Sequence, residues 1–438
     1  KMSLHRIVEA QRAYFNTGAT KPAEFRKEQL LQLKKLIEEN RAALTEVVWK
    51  DLRRRHEVTE PMELGGSLEE IAYYLKNLDD WMKPTYVEPT VATLPTDKPY
   101  IVKDPKGVVL VISPWNYPVS MVLLPMIPSI AAGNTIVIKP SELSENTAIL
   151  FEKLIPKYFD PKYVTIVNGG IPETTELLKE RFDHIIYTGC PPVAKIIMAA
   201  AAKHLTPVTL ELGGKCPVVV EDDADIEISA QRIARGKWLN CGQTCLAPDY
   251  ILVSSATKPK FVAAIQKCLK EFYGGNAKES KDYSRVINQR HFDRISALLD
   301  ESKGVVLAGN EESRDRSDRF IPPTVLDVEK TDPFMHDEIF GPVLPIITVK
   351  NLCESIDFIN KGEKPLAAYI FTKDEAKVQR FLNETTSGGV TVNDVIMHVA
   401  VITLPFGGVG VSGMGRYRGK FGFDTFTHEK SVLQRVFA

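Results

Sequence analysis

In the first eighty residues Leu30, Leu33, Ile37, Leu44 and Val48 recur at spacings of three, four and seven. Such spacing predicts helices with one apolar stripe turned to a core. Arg53, Arg54 and Arg55 close that run, where cations complement helix C-terminal carbonyls more simply than they would make a nucleic-acid patch. Residues 85–105 are extended and punctuated by proline, which predicts an arm or hairpin. From Lys106 the texture alternates. Apolar, β-branched runs at 108–112, 135–138, 164–167 and 185–187 read as strands buried on both faces. Helical stretches separate them, one starting at Glu145 and one running through 195–202. Strand–helix alternation predicts right-handed crossovers and an open parallel sheet, which binds ligands beyond the carboxyl ends of its strands. After Gly213-Gly214 the alternation restarts, with strands near 218–220, 250–253 and 344–349 and helices such as 258–272. The fold class is therefore α/β, two such units joined near residue 212. The Gly-rich stretch from about Ser387 is expected to pair with the arm.

A length of 438 residues fits two or three domains at ~150 residues each. Lys+Arg 55 against Asp+Glu 56 leaves a net charge of −1, without the basic excess of a nucleic-acid binder. The composition, 44% hydrophobic and 25% charged, excludes collagen-like and disordered chains. Six cysteines are too sparse for a disulfide scaffold, so reduced thiols are expected. The most apolar stretch, 119–132, contains Pro125 and Pro128 and falls short of the ~20 residues of a membrane span. The N-terminus reads as a polar helix rather than a secretory leader.

The sharpest local feature is Asn240-Cys241-Gly242-Gln243-Thr244-Cys245. Its two thiols suit metal ligands, a redox pair, or one nucleophile with a bystander. Zinc would need two further ligands at suitable spacing, and the chain does not offer them. No histidine sits in an obvious pairing motif, so a papain-like hydrolase is poorly supported. In Val208-Thr209-Leu210-Glu211-Leu212, alternation sets Glu211 against the apolar face. It is either a buried acid with a raised pKa, suited to general base work, or a carboxylate at an exposed edge. Asn116 follows the first buried strand, where its amide is either an oxyanion donor or a turn former. Gly408-Val409-Gly410-Val411-Ser412-Gly413 matches a dinucleotide fingerprint in letters only. No good strand precedes it and no amphipathic helix follows, so it reads as a close-packed loop.

Residues 208–215, 240–249, Glu338-Ile339-Phe340-Gly341-Pro342 and 404–408 together resemble the aldehyde dehydrogenase superfamily over nearly the whole chain. Residues 139–146, 173–184, 200–209 and 393–398 resemble its class 3 branch, which includes fatty aldehyde dehydrogenases. The resemblance implies NAD(P)-dependent oxidation of medium- or long-chain aliphatic or aromatic aldehydes to carboxylic acids. It implies an NAD(P)-binding domain over residues 1–84 and 104–212 and a catalytic domain over 213–387. A small β oligomerisation arm over 85–103 and 388–438 would build a homodimer. Cys245 matches the nucleophile, Glu211 the general base and Asn116 the oxyanion donor. Lys139 and Glu142 match contacts to the adenosine ribose, and Thr188 and Gly189 the turn against the pyrophosphate. Glu338 and Phe340 match contacts on the nicotinamide side, and Trp115 and Leu212 the lining of the nicotinamide pocket. No metal or nucleic acid is implied. The location implied is cytoplasmic or the cytosolic face of an intracellular membrane, with membrane association only through a tail that is not part of this chain.

The turn Gly189-Cys190-Pro191-Pro192-Val193-Ala194 departs from the class 3 pattern, which usually has Ser or Asn after the first Gly and Gly at position 194. Ala194 is expected to put a methyl near the pyrophosphate, and Cys190 reads as inert filler. Glu142 can accept from a ribose 2′-OH and would repel a 2′-phosphate, so NAD is expected to be preferred, with NADP usable. Competing readings are a thiol esterase or CoA-acylating dehydrogenase on the same cysteine, and a crystallin-like protein without turnover.

Overall fold

The computed structural model describes residues 3–309 and 311–437. Among these, the first part is helical, from Leu4–Asn16 through Ala23–Glu39 and Arg41–Leu52 to Gly66–Met82. Leu30, Leu33, Ile37, Leu44 and Val48 all lie in the core, as their spacing predicts.

Two sheets follow. The first has six strands in the order Gly413–Met414, Val208–Glu211, His184–Thr188, Val108–Ile112, Thr135–Lys139 and Val164–Ile166. All pairs are parallel except the short edge strand Gly413–Met414. The chain leaves Val108–Ile112 towards one edge and returns at His184–Thr188 to build the other. That reversal makes a topological switch point, where open α/β sheets leave a crevice at their carboxyl ends.

The second sheet has seven strands, with Tyr250–Ser254 central and Val305–Ala308 as its antiparallel edge. Its core contains Trp238, Phe261, Phe320 and Tyr369. A third, antiparallel sheet joins Thr85–Tyr86, Lys98–Pro105 and Thr427–Gln434.

The C-terminal stretch is thus shared among three sheets. Only Thr427–Gln434 pairs with the arm as expected. Gly389–Val392 runs parallel to Ala367–Phe371 at the edge of the seven-stranded sheet, and Gly413–Met414 pairs with Val208–Glu211. The range 388–438 is therefore wider than the arm itself. Short Gly-rich strands carry too little alternation to reveal which sheet takes them.

Candidate active site

Seven of the eleven singled-out residues stand at the carboxyl ends of the six-stranded sheet. Lys139 ends one strand, Thr188 with Gly189 another and Glu211 with Leu212 a third, while Trp115 and Asn116 follow Val108–Ile112 directly. Glu142 sits one turn beyond Lys139, its carboxylate 3.8 Å from the Lys139 ammonium.

The nucleophile loop leaves the helix Ile226–Trp238. Cys241 and Gly242 both have left-handed backbone, with φ of 54° and 72°. A side chain at 242 would also meet the Gly341 carbonyl oxygen at 1.9 Å, so only glycine fits. Side-chain amides then shape the loop. Gln243 donates to the carbonyls of Asn240 (3.1 Å) and Arg285 (2.9 Å) and accepts from the Ile287 N–H at 2.9 Å. Asn240 donates to the carbonyls of Asn116 and Gln243 at 3.0 and 3.1 Å. Asn116 itself donates to the Gln243 carbonyl at 3.1 Å, which engages one of its two amide hydrogens.

Cys245 emerges from this loop partly exposed. Its thiol is pushed up to about 12, by burial first and then by the Glu338 and Glu211 carboxylates. Glu211 is 2% exposed, and neither of its carboxylate oxygens has a hydrogen-bond partner among the described residues. Burial holds its pKa well above the ordinary carboxyl range. The exposed-edge alternative fails because Gly413–Met414 covers that side of the strand. Cys241 points elsewhere, buried with its sulfur 3.8 Å from the Tyr283 hydroxyl. The two thiols of the motif are therefore not a pair.

Glu338 and Phe340 arrive from the other half of the chain. The Glu338 carboxylate packs so closely on Gly213 that a Cβ there would come within 2.3 Å of it. Burial, then Asp249, pushes Glu338 up to about 8. The Phe340 ring meets Trp115 edge-on at 5.3 Å between centroids, and Trp115 lies 5.2 Å from the His291 ring. Cys245, Glu211, Asn116, Glu338, Phe340, Trp115 and Leu212 are thus gathered in one region. Lys139 and Glu142 stand apart from it, three strands from Glu211, or roughly 14 Å along the sheet edge.

Reading the sequence missed the support for Glu338. Lys215 Nζ pairs with Asp249 and donates to the carbonyls of Phe334 (2.6 Å) and Asp337 (3.0 Å), while Asp249 accepts from the Ile339 N–H at 2.9 Å. Both residues lie inside the quoted motifs. Their signal was a charge bordering a buried run.

The donor set suits a dinucleotide. Lys139 with Glu142 offers donors and an acceptor to a ribose diol, and the turn at Gly189 opens the helix Pro191–Ala202, whose positive dipole end suits a diphosphate although Pro191 and Pro192 carry no N–H to donate. Ala194 is 2% exposed and packs in the core with Leu110, Tyr187 and Leu210, which takes its methyl into the protein interior. Cys190 is exposed rather than buried filler, its N–H donating to the Tyr187 hydroxyl at 3.0 Å.

Residues 1–432 match the aldehyde dehydrogenase family. The chain belongs to that family. It is 50% identical over 430 residues to a dimeric NADP-preferring aldehyde dehydrogenase of Mus musculus, covering 98% of this chain and 94% of that one. It is 49% identical over 431 residues to aldehyde dehydrogenase family 3 member A2 of Macaca fascicularis, covering 98% and 88%. A solved structure of Staphylococcus aureus AldH in a substrate-bound state superposes with a TM-score of 0.97 at 44% identity, covering all of this chain and 95% of that one. The class 3 resemblance is borne out, and this enzyme is an NAD(P)-dependent aldehyde dehydrogenase. The esterase, CoA-acylating and crystallin-like readings gain no support from these relatives. No helix among the described residues is long and apolar enough to cross a membrane.

Proposed function

We propose that this enzyme oxidises medium- or long-chain aliphatic or aromatic aldehydes through a covalent intermediate on Cys245. The observation that carries this reading is the meeting of Cys245, a buried unpartnered Glu211 and the Asn116 amide at the sheet's carboxyl edge. Burial raises both groups, and each is matched to one step, the sulfur to attack and the carboxylate to activate the water that follows. The Cys245 sulfur then adds to the aldehyde carbon, and the free amide hydrogen of Asn116 stabilises the oxyanion, a role worth ~3 kcal/mol in comparable sites. A bound nicotinamide nucleotide supplies the hydride acceptor. Glu211 takes the proton of the water that cleaves the thioester. Glu211→Gln tests this role, since loss of the base slows deacylation.

Lys139, Glu142, Thr188 and Gly189 are proposed to hold the adenosine and pyrophosphate end, with Trp115, Leu212, Glu338 and Phe340 around the nicotinamide. Residues 1–84 and 104–212 would form the nucleotide-binding part and 213–387 the catalytic part. NAD is the proposed preferred cofactor, supported by the half-exposed Glu142 carboxylate. The adjacent Lys139 ammonium offsets part of its repulsion of a 2′-phosphate, which leaves NADP usable.

A homodimer is proposed. One relative is named dimeric, and the helix Pro191–Ala202 exposes Val193, Ile196 and Met198, apolar surface that a second copy would cover. The proposed location is the cytoplasm or the cytosolic face of an intracellular membrane, in keeping with six free cysteines.

The test is a chain-length series of aldehydes with NAD and with NADP, with and without CoA, on the wild type and Cys245→Ala. Oxidation independent of CoA and lost in the variant is expected. Turnover surviving Cys245→Ala would refute the nucleophile.

A further inference from the structure

Arg54, the middle residue of the Arg53–Arg55 run, behaves unlike its neighbours. Arg53 and Arg55 are exposed or nearly so and pair with the surface acids Asp318, Glu57 and Asp282. Arg54 is 1% exposed. Its guanidinium pairs with Glu63, itself fully buried in the turn Glu60–Gly65. Its Nε donates to the Thr59 hydroxyl at 3.2 Å. Its Nη1 donates at 3.1 Å both to the Asn116 carbonyl and to the Asn240 side-chain carbonyl. The guanidinium also lies 4.7 Å from the centre of the Tyr117 ring, whose hydroxyl is hydrogen-bonded to Thr244 at 2.7 Å. On its other oxygen Glu63 accepts from the N–H groups of Val119 and Ser120, at 2.7 and 2.8 Å.

A buried ion pair is a costly way to fill space, since apolar residues of similar volume often stabilise a fold as well or better. What apolar residues lack is several fixed donors aimed at separate acceptors. Arg54 uses its planar fork in that way. Its partners belong to the two loops that must meet, residues 116–120 beyond the first strand and residues 240–245 before the thiol.

We propose that Arg54, clamped by Glu63, is a positioning residue for the oxidation. It locks the Asn116 loop against the Cys245 loop, so that the Asn116 amide faces the oxygen on the carbon attacked by sulfur. This rests on the proposed role of Asn116. Arg54 is buried and acts through Asn116 and Asn240. Lysine at position 54 keeps the charge without a fork able to serve Glu63, Thr59 and two carbonyls together.

The experiment is a double-mutant cycle between Arg54→Lys and Asn116→Ala, with Arg55→Lys as the surface control. The readouts are kcat/KM for an aldehyde, the nucleotide Kd from fluorescence quenching, and Tm. Arg54→Lys is expected to lower kcat/KM by about 10-fold or more in the wild-type background and by less than about 3-fold where Asn116 is already alanine, because coupled residues are not additive. Nucleotide Kd is expected to stay within about 2-fold in both, and Arg55→Lys to match the wild type. Glu63→Gln runs the same cycle in case Arg54→Lys does not fold. Equal losses in the two backgrounds would overturn the proposal, leaving Arg54 a general stabiliser. So would a folded Arg54→Lys enzyme with unchanged kcat/KM. If Asn116→Ala alone leaves kcat/KM intact, the oxyanion reading itself fails, a result separate from either outcome for Arg54.

Discussion

Replacing Glu338 by Gln tests whether a carboxyl is held protonated between the two halves of the site. Burial pushes Glu338 from an ordinary 4.5 up to about 8, with Lys215 and Arg294 opposing only in part. A carboxyl raised on folding makes the native state bind the extra proton, so its contribution is fully present below pH 4.5 and is lost as pH rises through 8. At about 1.4 kcal/mol per pH unit, the gap between those values is worth at most about 5 kcal/mol. Gln has nearly the same shape and cannot ionise. The wild type should therefore lose up to about 5 kcal/mol relative to Glu338→Gln between pH 4 and pH 9. An unfolding entropy of ~2.1 cal/mol/K per residue over 438 residues turns this into about 5 °C. The assay is thermal unfolding of both proteins across that pH range. Parallel Tm curves would refute a Glu338 held neutral at pH 7.

Glu142→Gln should raise the ratio of kcat/KM with NADP to that with NAD several-fold, by removing an acceptor for the 2′-OH and a charge facing a 2′-phosphate; an unchanged ratio would count against Glu142 at the ribose. Lys215→Met strands the buried Asp249 carboxylate and frees the carbonyls of Phe334 and Asp337. Breaking such a pair costs about 3–5 kcal/mol, so Tm should fall by roughly as many degrees, with a raised KM for the nucleotide. A Tm within about 1 °C of the wild type would show the clamp carries no load.

The parallel strands were legible because strands buried on both faces leave unbroken apolar runs, and 108–112 is wholly buried. Cys245, Glu211 and Asn116 were visible as residues, but local pattern left their roles open and only the family resemblance assigned them. Whether Glu211 is buried depends on Gly413–Met414, two hundred positions away, and two residues carry no periodic signal. Arg54 looked like a helix-ending cation because its true partners, Asn116 and Asn240, are 62 and 186 residues distant. Lys215 and Asp249 were hidden for the same reason. Contacts between single side chains across the fold leave no pattern in local order, and those contacts position the chemistry.

The most direct measurement traps the covalent intermediate. Glu211→Gln enzyme is mixed with aldehyde and NAD(P), quenched in acid within one turnover, digested, and its peptides weighed. An acyl group on the peptide carrying Cys245, building up beyond the wild-type level and absent from Cys245→Ala, is predicted. Acylation of Cys241 or Cys190 instead, or aldehyde oxidation persisting in Cys245→Ala, would contradict the account.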